Sequence, residues 1–181
     1  MVASVSEAPK YFKFDATMNQ SALSPYTEKL AQVNRPLSVE EFQNLSETIP
    51  VIDSRINPEA IIKGKNVYWL TAKATLVNWA ANLVVPSPES QFLIFTEPGK
   101  WEETAERLIR IGYFNIKGYN NFDIKDWKGE TWKPKIVHYD GLKQIPDATI
   151  LDVRKKNEWK ETGIVEGAVT IPLQTLEERV G

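Results

Sequence analysis

The residues best placed to do chemistry sit in one short loop, Thr96, Glu97, Pro98, Gly99, Lys100 and Trp101. An apolar run, Phe92, Leu93, Ile94 and Phe95, precedes it and suits a strand buried on both faces of a parallel sheet. After it, Trp101, Ala105, Leu108 and Ile109 recur at helical spacing, with Glu103 and Arg107, and Glu106 and Arg110, as i,i+4 pairs on the outer side. Gly112 ends that helix, and Tyr113, Phe114, Asn115 and Ile116 read as the next strand. The loop therefore lies at a strand's carboxyl end and a helix's amino end, where open α/β sheets hold ligands and reacting groups. The nucleophile on offer is the Thr96 hydroxyl, which needs a general base, and the chain's single histidine, His138, lies well away in sequence. Thr96 is accordingly expected to cap the helix or turn the loop, and Glu102 and Glu103 to complement the helix dipole.

Composition narrows the chemistry further. The 181 residues contain no cysteine, which removes disulfides, thiolate ligands, thiol nucleophiles and persulfide carriers together. One histidine cannot make a zinc site alone, so neither a metal nor another cofactor is expected in this chain. A formal net charge of −2 and the lack of a basic run argue against nucleic acid. No stretch has the length of a membrane span and no signal-peptide pattern opens the chain, so a cytoplasmic protein is expected, with no membrane partner.

The elements that must position the loop begin at Leu37. Residues 1–36 lack a sustained period, although Tyr11, Phe12 and Phe14 favour a structured tail over a disordered leader. Ser38 with Glu40 and Glu41 opens a short helix that turns Phe42 and Leu45 inward. Pro50, Val51, Ile52 and Asp53 read as a buried strand, Pro58 permits a short helix from Glu59 to Ile62, and residues 67–70 form a second strand. An amphipathic helix follows from Ala72, with Leu76, Trp79, Ala80 and Leu83 on one side, closing before Pro86. Trp79 and Trp127 read as core residues. Strands alternating with helices indicate a parallel α/β sheet.

Residues 129–135 read as a polar connector, after which the order begun at Leu37 starts again. His138 to Leu142 matches the first short helix, residues 148–154 match the strand that ends Asp53, Ser54, Arg55, and Asn157, Glu158 and Trp159 match the segment around Glu59. Asp53 with Arg55, and Asp152 with Arg154, read as salt-bridged strand ends that fix the loops beside them. Four segments result: 1–36, 37–128, 129–135 and 136–181. The last, as half a sheet, is expected to pack on the first domain, pair with another chain, or remain poorly ordered.

This repeat resembles the rhodanese-like domains. The ordered set Asp152, Arg154, Glu158, Trp159, Gly163, Gly167, Ala168 and Pro172 is similar to that family's first half, and residues 51–55 and 110–127 are similar to the fold's beginning and end. The resemblance implies a mostly parallel central sheet flanked by helices, plus a partial second copy. Leu76 to Ala80, with Pro9 to Phe12 and Met18-Asn19, resembles fusions of a metallo-β-lactamase domain with two rhodanese-like domains, a group that includes persulfide dioxygenase-like hydrolases. That implies a carboxyl-terminal fragment, an upstream hydrolase domain as partner and a possible homodimer; the alternative to an inactive module is an inert portion of an active sulfur enzyme, a persulfide dioxygenase or sulfurtransferase, whose catalytic residues lie outside this chain. Rhodanese-like domains commonly read Cys, two residues, Gly, one residue, Arg in the loop. Here Thr96 takes the cysteine position, Gly99 the glycine and Trp101 the arginine, while Pro98 removes an amide donor and Glu97 adds negative charge. The resemblance therefore implies a fold retained for packing or interaction, with sulfur transfer lost.

Overall fold

The computed structural model describes Phe12 and residues 26–73, 76–85, 87–135, 137–142 and 144–180, excepting the side chains of a few of these. The chain divides into two compact units, residues 1–134 and 135–181. Pro9 to Tyr11, Phe14, Met18 and Asn19 lie outside the described residues, as do Pro86 and the side chain of Leu83.

The first unit is built on a four-stranded, all-parallel sheet of order β3-β1-β4-β5, where β1 is Val51–Asp53, β3 Val67–Trp69, β4 Phe92–Phe95 and β5 Ile116–Asn120. Alternation along the strands divides the core in two. Ile52, Phe92 and Ile94 point to one side, where helix α1 (Tyr26–Val33), α3 (Leu76–Trp79) and α4 (Trp101–Ile109) bring Val33, Leu76, Ala105 and Leu108. Val51, Leu93 and Phe95 point to the other, against Phe42 of α2 (Val39–Ser46) and against Phe122 and Trp127. Helix α2 begins at Ser38, as expected, and there Ser38 and Glu41 form a capping box.

Five expectations need correction. The segment before Leu37 is not irregular throughout: α1 packs on the sheet, and Arg35 and Leu37 exchange backbone hydrogen bonds with Tyr119, so the first unit begins upstream of position 37. Glu59 to Ile62 forms no helix. The β-branched pair Ile61–Ile62 instead makes strand β2, antiparallel to β6 (Thr131–Trp132). The polar stretch taken as a connector thus contributes a strand to the first unit. The helix from Leu76 changes winding, with Ala80–Val84 a π-helix closed by the Val85 N–H on the Ala80 carbonyl. Finally, β5 starts only at Ile116, because the Gly112 and Tyr113 amides still bond back to the carbonyls of Ile109 and Leu108.

The second unit holds α5 (Tyr139–Leu142), β7 (Leu151–Asp152), α6 (Lys156–Thr162), β8 (Val169–Thr170) and α7 (Leu176–Val180). Strands β7 and β8 pair in parallel. Helix α6 covers Asn157 to Trp159, whereas Glu59 lies in a bend, so the expected match between these segments does not hold. Among the described residues, no helix is long and apolar enough to cross a membrane.

Gly118 lies where the sheet leaves no room for a side chain. Its φ is +153°, and a Cβ added there would sit 2.6 Å from Leu37 Cδ1 and 3.0 Å from the Arg35 carbonyl. Gly118→Ala is expected to destabilise the first unit by about 1–3 kcal/mol, read as a lower urea midpoint with an unchanged slope.

Candidate functional site

The loop at positions 96–101 is held from three sides. At its start the Thr96 N–H donates to the Asn120 carbonyl at 3.1 Å, and the Ser54 N–H donates to the Phe95 carbonyl at 2.8 Å, so β1, β4 and β5 all end at the same level. Beneath it lies a buried hydroxyl chain: Thr104 Oγ1 donates to Ser54 Oγ at 3.1 Å, and Ser54 Oγ donates to the Phe95 carbonyl at 3.2 Å. This chain ties the first turn of α4 to the strand ends. Over it, the Glu97 carboxylate accepts the Ile56 N–H at 2.6 Å and so joins the loops that follow β1 and β4.

Each loop residue has a definite place. Thr96 is 1% exposed, and its Oγ1 has no hydrogen-bond partner among the described residues. It does not cap α4; Lys100 holds the N-cap position without a side-chain bond. A threonine hydroxyl turned into an apolar strand end is too far back along the loop to reach the helix amides. Glu97 is half-buried, Pro98, Gly99 and Lys100 are exposed, and Gly99 adopts φ +73°, which makes the turn into the helix. The Trp101 ring stacks on Tyr119, with centroids 4.5 Å apart and planes 7° apart. This aromatic pair closes the loop onto β5.

Asp53 and Arg55 form the fork that the sequence suggests. Arg55 Nε and Nη2 donate to the two Asp53 oxygens at 2.8 and 2.6 Å, Nη2 also reaches the Ala60 carbonyl, and the guanidinium lies 4.1 Å from the centroid of the Phe95 ring. Burial pushes the Asp53 carboxyl up, and the Arg55 bonds oppose that without cancelling it. The fork recurs at Asp152 and Arg154, with distances of 3.0 and 2.7 Å. There the pair is more exposed, and the Arg154 guanidinium holds the Asp152 carboxyl well below the usual carboxylate range. Trp127 is half-buried, stacked on Phe122, and Trp79 is likewise half-buried rather than central. No group of three or more His, Cys, Asp or Glu side chains could hold a metal ion among the described residues.

Ser54, Thr104 and Tyr119 belong to this site without a signal in the sequence that marks them. A serine after a strand-ending aspartate carries no periodic signal, and its link to Thr104 spans 50 positions. The pairing of Trp101 with Tyr119 becomes evident only once β5 is known to lie beside β4.

No family model matches the chain, and no curated protein matches it. Among solved structures, wild-type EanB is similar at 20% identity and a TM-score of 0.42 over 77% of this chain. A double cysteine-to-alanine variant of EanB in complex with hercynine is similar at 20% identity and 0.43 over the same share. The chain spans 40% of the length of these proteins.

Two measurements check this geometry. Thr96→Val removes a buried hydroxyl that has no partner and keeps the shape, so it is expected to leave stability unchanged or raise it by about 1 kcal/mol; a loss above about 1 kcal/mol would show that Oγ1 is satisfied. In a carboxyl NMR titration, Asp152 is expected to stay ionised near pH ~3, where an ordinary aspartate is largely protonated, and to titrate below Asp53. Since its folded-state value is depressed, the stability it contributes is present above the ordinary carboxylate range and lost as pH falls through the lowered one. Arg154→Met should return Asp152 toward the ordinary range.

Proposed function

We propose that this chain is a rhodanese-like module without sulfurtransferase activity, serving a packing or interaction role within a metallo-β-lactamase/rhodanese fusion. The observation that carries the reading is the state of position 96. Sulfur transfer needs an accessible thiolate cradled by amide donors, and a buried threonine stands there instead. A hydroxyl cannot carry transferable sulfur. The features around it point the same way: Glu97 brings a carboxylate into the loop, Pro98 offers no N–H, and Trp101 is committed to Tyr119. What remains well built is the scaffold, with the Asp53 and Arg55 fork, the hydroxyl chain and two apolar layers all directed at holding the strand ends in place. Retained architecture beside a loop unsuited to the reaction favours interaction over catalysis.

The fusion reading rests on the resemblance of residues 76–80 and the amino-terminal segment. A His-x-His-x-Asp-His run encoded upstream of Met1 would support it, and a different upstream sequence would remove it.

In a thiosulfate:cyanide sulfurtransferase assay the chain is expected to read background, and turnover clearly above background would overturn the proposal. Thr96→Cys should also stay at background. Its thiol is expected to react slowly with aromatic disulfide reagents, since the position is closed to solvent and a carboxylate stands next to it.

A further inference from the structure

Two consecutive main-chain amides beside the loop are each held by a carboxylate, and the two carboxylates come from different strand ends. The Arg55 N–H donates to Asp53 Oδ1 at 3.2 Å, and the Ile56 N–H donates to Glu97 Oε1 at 2.6 Å. Asp53 ends β1 and Glu97 lies in the loop after β4, so the Arg55-Ile56 segment is clamped between them. Strand β3 adds a further tie, where the Trp69 indole N–H donates to the Arg55 carbonyl at 2.8 Å.

The charges at this clamp do not balance. Arg55 is its one cation, and the guanidinium is directed at Asp53 and the Ala60 carbonyl, with the Phe95 ring on its face. Among the described residues no cation lies within ion-pair distance of Glu97. Other charged groups on the surrounding elements are engaged or turned to solvent. Lys100 pairs with Glu103 at 3.5 Å and Lys125 with Asp123 at 4.0 Å, Glu41 is held by Ser38, and Glu40, Glu47 and Glu59 are exposed. Tyr68 of β3 packs in the layer of Ile52, on the side of the sheet away from Asp53. Two carboxylates, one of them fully buried, thus share a single guanidinium.

Burial, and to a smaller extent the charge of Glu97, push the Asp53 carboxyl up against the pull of Arg55. A carboxyl raised in this way takes its proton more readily in the folded protein than in the unfolded chain, so uptake here is an event of the folded state. The consequence for Ile56 is the same wherever in the pair the proton resides. On Glu97 it removes the charge that strengthens the Ile56 bond, and on Asp53 it frees the guanidinium to compete with Ile56 for Glu97.

We propose that Asp53, Arg55 and Glu97 form a proton-operated latch, in which the ionised carboxylates join the loops after β1 and β4 through Arg55 and Ile56, and uptake of one proton from solvent by the pair breaks the bond between Ile56 and Glu97. Ile56 is 40% exposed and Pro98 is exposed, so opening the latch changes the apolar surface that the two loops present. The latch does not depend on the function proposed above, which the sulfurtransferase assay tests separately.

The test is an NMR titration of the full chain between pH ~7.5 and ~3.5, following the Asp53 and Glu97 carboxyl carbons and the backbone amides. The Ile56 amide proton, held downfield by its carboxylate, is expected to move upfield with the same midpoint as the Asp53 carboxyl carbon, while the Leu93 and Gly118 amides within the sheet keep their positions. Glu97→Gln retains an acceptor without the charge. In that variant the Asp53 midpoint is expected to fall and the Ile56 signal to lose most of its pH dependence. An Ile56 signal that stays fixed while Asp53 titrates would overturn the proposal, as would an Asp53 midpoint that Glu97→Gln leaves unchanged. Leu93 and Gly118 amides that move together with Ile56 would also overturn it, since the transition would then be unfolding. The wild-type titration decides the question by itself should the variant fail to fold.

Discussion

Strand β4 has no solvent-facing side. Phe92, Leu93, Ile94 and Phe95 are all fully buried, and the strand has a parallel neighbour on each edge. Four residues therefore serve two cores, with Phe92 and Ile94 anchoring the layer of α1, α3 and α4, and Leu93 and Phe95 the layer of α2. A strand in this position fixes its neighbours' register, since a slip of one residue would exchange the two layers. Its carboxyl end must then fall level with those of β1 and β5, and the loop at Thr96 inherits a rigid base from this arrangement. The Ser54 and Thr104 hydroxyls, the Asp53 and Arg55 fork and the Asn120 carbonyl all converge at that level.

Much of this was readable in the sequence where one short stretch decides its own structure. The apolar run at β4, the helix opened by Trp101, the capping box at Ser38 and the Asp-x-Arg pairs are local signals with local causes. The errors share a different origin. Ile61 and Ile62 became a strand because Thr131 and Trp132 return to pair with them across some 70 positions, and residues 129–135 looked like a connector for the same reason. Of the two places that residue type suggests for Thr96, helix cap or loop turn, the loop length excludes the first by putting Lys100 at the cap. The stack of Trp101 on Tyr119 and the bond of Glu97 to Ile56 depend on strand order, which no window of sequence contains.

The two Asp-x-Arg pairs show how far environment governs an identical motif. Bond lengths agree within a few tenths of an ångström, yet the carboxyl group shifts upward in one and downward in the other. Covering layers account for the difference. At Asp53, buried at the end of β1, desolvation outweighs the bonds from Arg55, whereas at Asp152 the bonds from Arg154 outweigh desolvation. The fork is thus an intrinsic property of the local turn, and its electrostatic character is set by what is packed around it.

The ties of Arg35 and Leu37 to Tyr119, and of β2 to β6, bear on how the protein can be divided. Sequence spacing invites a cut after position 36 and another after 128. The first would remove α1 from the face it covers, and the second would strip the edge from Ile61–Ile62 and leave two buried isoleucines open to water. A dissection that respects the hydrogen bonds keeps residues 26–134 in one piece, and fusion partners or labels belong outside those limits.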